Sequence, residues 1–355
     1  MRTAEAAVSS LQVSGADVPA PASPLLKFVA NKPAREDRRW LIGLAAVTAV
    51  ELAWWAVVWW LGLAPLPFLT TYLGLAFAGL AVAAVIRLAL RLKPSAAPLP
   101  EVLVGTALVG IGASAFLPLK YAIPYEMPFW LDRPVALAER ALFGTDPWLV
   151  LDRLFGAATV PIDWLYGSWL PVQTLVLFSL ILSRPSAAKS RALLAYGFGW
   201  FFLGVLAAML LSSAGPLFYD RAFGGSAFAG LTETLRHRGA WVALAESDRM
   251  WAAMAQHHPG LVAGISAVPS IHVAISLWIY LTARTIAPRA APAALVYFLF
   301  VWIGSVQLGW HYVTDGVVGS AGMLAMWQLA RLVDRRPARS GRSQDVECEP
   351  VPIRG

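Results

Sequence analysis

A histidine and an aspartate stand four residues apart in the stretch Gly304-Ser305-Val306-Gln307-Leu308-Gly309-Trp310-His311-Tyr312-Val313-Thr314-Asp315-Gly316. On a helix, i,i+4 spacing puts both side chains on one face, where the carboxylate can hold and polarise the imidazole. Both lie at the mouth of an apolar segment, where ionisable groups are expensive and mark function. A second histidine, His272, opens another apolar segment in Val268-Pro269-Ser270-Ile271-His272-Val273. Two imidazoles, one with a carboxylate behind it, suit a nucleophile and a general acid. A single histidine near a helix end is as readily a packing residue, but two such motifs at equivalent depths weigh against that.

His272 and His311 both fall near predicted helix N-termini, whose unpaired N–H groups and positive dipole favour an anion such as phosphate. Ser270 is placed to cap the helix that carries His272, or to donate directly to phosphate. Asp315 is expected to stabilise the positive charge that builds as His311 attacks. A phosphoryl site also needs fixed cations. Lys120 ends an apolar segment on the same side, Arg133 precedes Pro134, and Arg221 follows Gly215-Pro216-Leu217-Phe218-Tyr219-Asp220. The bland account has Lys120 reaching for the interface, Arg133 solvated and Arg221 paired with Asp220. His257-His258 lacks a partner at ligand spacing, so no metal site is expected. Glu51 falls near the middle of the first span, where a charge needs a partner.

The elements that position these groups are apolar. The chain of 355 residues is 58% hydrophobic and 14% charged, against about 25% charged in soluble domains. An all-α, polytopic membrane helix bundle follows. Eight stretches reach or approach the roughly 20 residues that cross a bilayer: about 40–63, 66–92, 102–123, 162–182, 192–213, 271–286, 290–308 and 310–333. Residues 1–36 and 334–355 read as disordered cytoplasmic arms, 40–92 as two additional spans and 102–333 as a six-helix catalytic unit.

Basic residues mark alternate connections: Arg87, Arg91 and Lys93; Arg184, Lys189 and Arg191; Arg284 and Arg289; and the arginine-rich tail after Arg331. By the positive-inside rule both termini are cytoplasmic, and both histidine motifs face away from the cytoplasm across an inner or plasma membrane. The net charge of +7 is scattered at span ends, which is not a nucleic-acid footprint. The single cysteine, Cys348, excludes an intrachain disulfide. Two long outer segments, 120–161 and 214–270, read as structured lids. The first includes a helix-like pattern (Val135, Leu137, Ala138, Leu142, Phe143) ending at Gly144; the second mixes Leu231, Leu235, Trp241 and Met250 with charges.

With these motifs in view, the chain resembles the type 2 phosphatidic acid phosphatase superfamily. Val268-Pro269-Ser270-Ile271-His272 and Gly309-Trp310-His311-Tyr312-Val313-Thr314-Asp315 are similar to its second and third motifs. The His-Tyr-x-x-Asp form resembles its inositol phosphorylceramide synthase branch, as do Lys120-Tyr121-Ala122-Ile123-Pro124, Pro128-Phe129-Trp130, Gly144-Thr145-Asp146-Pro147-Trp148, and Gly215-Pro216 with Tyr219 and Arg221. The resemblance spans roughly residues 103–331. It implies a phosphohistidine intermediate on His311, with Asp315 its partner and His272 the acid for the leaving group. The family's first motif sets Lys and Arg-Pro closer together than Lys120 and Arg133-Pro134. Ser305 stands where its third motif carries arginine, and Ile271 where its second carries glycine; Arg221 is the candidate replacement for the missing arginine.

The sequence thus predicts a membrane enzyme acting on a lipid phosphate or phosphodiester and passing the group to water or to a polyol such as inositol, without a cofactor. A lipid phosphatase acting on phosphatidic acid or a polyprenyl diphosphate is the alternative within enzymes. From another class, a proton-coupled transporter would run its path through Glu51, Asp163 and His311, but the charged groups gather at one surface.

Overall fold

The structure, a computed structural model, describes residues 38–62, 68–91, 97–257 and 264–334. The N-terminal arm, Lys93, His258 and the tail with Cys348 lie outside them. The described residues fold as helices joined by turns, with no strand among them. Seven helical stretches are long and apolar enough to cross a membrane, making this a multi-pass membrane protein. They are α1 (Arg39–Trp60), α2 (Leu69–Ala89), α3 (Leu99–Glu126), the broken run Pro147–Ile181, α8 (Ala187–Leu210), the stretch Pro288–Gln307 and α14 (Val313–Val333). The expected eighth, α12 (Ile271–Ile286), has 16 residues. At 1.5 Å per residue it is about 24 Å long, short of the roughly 30 Å hydrocarbon core. Ser270 caps its start and Ala287-Pro288 ends it, so the sequence cannot extend it in either direction.

The broken run contains α5 (Pro147–Phe155), α6 (Thr159–Gly167) and α7 (Trp169–Ile181). Within α8, Gly199–Ala207 winds as a π-helix; this wider winding often accompanies functional sites. Helices α12 and α13 (Ala291–Gln307) pair closely, and α14 lies against α8 and α12. Gly319 of α14 makes that approach possible, because a Cβ there would collide with the Ser270 backbone. Helices α1 and α2 pack on α3 and turn Ile42, Trp60, Val85 and Leu88 outward, as lipid-facing surfaces do.

Glu101 and Asp163, two of the buried acids, have partners inside the bundle. Lys189, in a connection read as basic and cytoplasmic, is fully buried. Its ammonium donates to Glu101 at 2.8 Å and to the carbonyls of Ile181 and Ser183. Arg38 holds the other oxygen of Glu101 at 3.3 Å. Asp163 accepts the N–H groups of Val242 and Ala243 at 2.8 and 2.9 Å, capping α11 (Trp241–Ala255). Asp163 is therefore committed to helix capping.

The outer segments are helical. The first contributes α4 (Asp132–Phe143), closed by Gly144 in the left-handed conformation. The second contributes α9 (Pro216–Phe223), α10 (Ala229–Arg238) and α11. Backbone bonds knit them to the histidine motifs: Leu131 N–H to Ser212, Ala267 N–H to Ser213, Leu217 N–H to Gly309, and Ser270 N–H to the Asp315 carbonyl.

Candidate active site

The two histidine motifs meet. His311 sits in the turn between α13 and α14, and its N–H donates to the Ser305 carbonyl at 3.1 Å. Where the resemblance places an arginine, Ser305 is thus a buried helix residue that anchors the turn. The Nδ1 of His311 lies 3.2 Å from Asp315 Oδ2, and its Nε2 lies 3.4 Å from His272 Nδ1. The same Asp315 oxygen accepts the Tyr312 N–H at 3.0 Å, which fixes the carboxylate at the start of α14. His311 and Asp315 are both buried. Burial pushes the His311 imidazole down to about 3; the Ala267 backbone opposes this and the Lys120 charge adds to it. The ring is therefore held neutral, as a nucleophile needs to be.

His272, at the second position of α12, is half-buried between aromatic rings. Tyr166 of α6 stacks on it at 5.2 Å and Trp169 of α7 lies 4.3 Å away, centroid to centroid. Ser270 spends its hydroxyl oxygen on the Val273 N–H at 3.3 Å, so it acts as the N-cap of α12.

Of the predicted cations, Lys120 is brought to the pair. It is buried on α3 and has no hydrogen-bond or ion-pair partner among the described residues. Its charge acts on both imidazoles. Arg221 is hydrogen-bonded to Asp248 of α11 at 2.5 Å, at the partly exposed edge of the second outer segment. Asp220, its sequence neighbour, instead accepts the Phe228 N–H. Arg133 is exposed on the outer face of α4.

Two acids that the sequence reading passed over support the site. Asp132, fully buried, accepts from Ser213 Oγ at 3.0 Å, from the N–H groups of Ala214 and Gly215 at 2.7 Å each, and from the Tyr312 phenol at 3.2 Å. Glu139, two turns further along the same face of α4, accepts both the N–H and the hydroxyl of Thr314 at 2.7 Å. A carboxylate there also faces the positive end of the α14 dipole. The signal was available: Asp132, Val135, Ala136 and Glu139 form an i, i+3, i+4, i+7 stripe, and these are the buried residues of α4. They clamp the turn that presents His311.

A family model described as the PAP2 superfamily matches residues 134–329, more than half of the chain. The chain belongs to the PAP2 superfamily. The matched stretch contains His272, His311, Asp315 and Arg221, and leaves Lys120, Asp132 and Arg133 outside it. No curated protein and no solved structure matches the chain. PAP2 membership is that of lipid phosphatases and phosphotransferases, and the paired imidazoles are the part of this chain fitted for such chemistry.

Proposed function

We propose that the protein is an integral-membrane phosphotransferase that takes the phosphoryl group of a lipid phosphate or phosphodiester onto His311 and passes it to a hydroxyl acceptor. The observation that carries this reading is the line Asp315–His311–His272, with 3.2 Å on one side of the central imidazole and 3.4 Å on the other. Asp315 favours the tautomer with the proton on Nδ1, leaving the Nε2 lone pair for phosphorus. A phosphorus entering between the rings displaces the contact of the two imidazoles and leaves His272 on the leaving-group side. The P–N bond forms as the P–O bond to the lipid breaks, and His272 protonates the departing oxygen. In the second half the acceptor gives its proton to His272, its oxygen bonds phosphorus, and His311 leaves as imidazole. Lys120 supplies positive charge for the phosphoryl oxygens.

The positive-inside pattern supports an outward-facing site in an inner or plasma membrane. Transfer of inositol phosphate to or from a lipid is the finer reading that the motifs, with their resemblance to the inositol phosphorylceramide synthase branch, support. Hydrolysis shares the first half of this mechanism and differs only in the acceptor.

The test is a phosphoryl label on the purified protein. An acid-labile label from a donor with an activated leaving group is expected in the wild type and in His272→Ala, and is lost in His311→Ala. A label that survives His311→Ala and disappears in His272→Ala reverses the assignment. Asp315→Asn is expected to cost about 10³–10⁴ in rate, by the loss of the tautomer-fixing acceptor. A lipid extract incubated with and without inositol then shows which head groups change.

A further inference from the structure

A small, partly open cavity lies beside His311, between α4, the start of α5 and the turn before α14. Two of its walls carry polar atoms without partners among the described residues. Glu139, 3% exposed, commits Oε1 to Thr314 and leaves Oε2 unbonded. Trp148, 6% exposed, leaves its indole N–H unbonded. A buried carboxylate oxygen and a buried indole N–H each demand a partner. Both residues line the same small space, and one unbonded acceptor with one unbonded donor matches a hydroxyl, which donates to the first and accepts from the second. Phe228 and the Trp148 ring give the cavity apolar walls, and Asp146, held by Arg140 at 2.6 Å, stands at its rim.

We propose that this cavity binds one hydroxyl of a polyhydroxy alcohol acceptor between Glu139 Oε2 and Trp148 Nε1, so that a neighbouring hydroxyl of the same molecule faces His311. The cavity has room for a hydroxyl and not for a whole ring, so the rest of the acceptor remains outside. Water and monohydric alcohols cannot fill the cavity and reach the phosphohistidine in one molecule; a polyol can. The proposal rests on the phosphohistidine reading. The step itself is the transfer described above: the P–N bond breaks, the P–O bond to the second hydroxyl forms, and its proton passes to His272. Glu139 and Trp148 bind and orient, and exchange no proton.

The experiment uses the full-length protein in detergent, phosphatidic acid labelled in its phosphate, and glycerol, myo-inositol or ethanol as acceptor. Product phosphomonoester (glycerol phosphate, inositol phosphate or ethyl phosphate) is measured against free phosphate. In the wild type, glycerol or myo-inositol is expected to divert the label and ethanol to do so poorly. Trp148→Phe keeps an aromatic ring and removes the N–H. Glu139→Gln keeps the oxygen that holds Thr314 and turns the free acceptor into a donor. Each is expected to lower the polyol-to-water ratio about tenfold, as loss of a hydrogen bond to an acceptor hydroxyl does, with the ethanol-to-water ratio little changed. Thermal unfolding identifies a variant that fails to fold, and the other variant then decides. An unchanged polyol ratio, or equal falls for polyol and ethanol, overturns the site. A wild type that labels His311 but yields only free phosphate also overturns it and leaves the phosphohistidine standing. A wild type that never labels His311 refutes the underlying mechanism instead.

Discussion

The phenol of Tyr312 donates to Asp132 across 3.2 Å, tying the residue beside His311 to the first turn of α4. Burial pushes the Asp132 carboxyl up, while the bonds from Ala214, Gly215, Ser213 and Tyr312 pull it down. A carboxylate that answers four donors is a poor place for an amide. In Asp132→Asn the new NH2 meets at least one of those donors head-on and leaves it unsatisfied in the interior. The expected loss is about 3 kcal/mol, read as a fall in thermal unfolding temperature in detergent. Tyr312→Phe removes one bond and is expected to cost about 1 kcal/mol. Equal stability for wild type and Asp132→Asn would mean that the four bonds do not hold the outer segments to the turn.

The burial that holds His311 neutral sets a pH prediction. Its folded value, about 3, lies below the ordinary 6.5. A group depressed in this way contributes stability above its unfolded value and loses it as pH falls toward its folded value. The window is therefore the acid side, from about 6.5 downward. The rate of His311 phosphorylation by an activated donor is expected to stay flat from about pH 8 to about pH 5. An inflection near 6.5 in that single-turnover rate would show that the imidazole titrates as if in water.

Much of the site was legible in the sequence because its chemistry is local. The His311–Asp315 spacing survives into the structure as a 3.2 Å contact, and α12 begins and ends where its apolar run does. What escaped was the direction in which α4 faces. Its apolar residues Leu137 and Leu142 are 57% and 77% exposed, while Asp132 and Glu139 are buried. At a membrane surface, lipid or interface rewards outward apolar side chains, so a hydrophobic pattern marks a helix without telling which side faces the protein. Arg221 shows a second limit. Its partner Asp248 lies 27 residues away on another helix, beyond any spacing rule.

Orientation is tested independently of chemistry. In a Cys348→Ser background, Ser226→Cys lies in the exposed turn before α10 and Arg289→Cys in the exposed turn before α13. The first turn is on the side of the histidine pair, the second among the basic connections. An impermeant thiol reagent is expected to label the first in intact cells and the second only after lysis. Labelling of the second alone in intact cells would invert the protein and turn the site toward the cytoplasm.

Lys120 is the sharpest test of electrostatics at the site, because charge and position can be separated. The side chain is buried beside two imidazoles that its charge disfavours protonating. An ammonium without a partner among the described residues is poised for an anion that arrives with substrate. Lys120→Met keeps most of the stem and removes the charge. Turnover is expected to fall about 10²–10³-fold, the scale of losing one preorganised stabiliser of transition-state charge. The sign of the accompanying pH effect is fixed: without the positive neighbour the His311 pKa rises, so the acid limb of the phosphorylation rate moves toward neutral pH. A merely structural lysine would lower the amount of folded protein and leave the position of that limb unchanged. Lys120→Arg is not expected to restore activity. Gly264 packs so tightly on the Lys120 backbone and Cγ that a Cβ there would collide with them, which fixes the stem, and a broad planar guanidinium on that stem does not reproduce the compact charge of an ammonium. Full activity in Lys120→Met, with an unmoved acid limb, would remove Lys120 from the site.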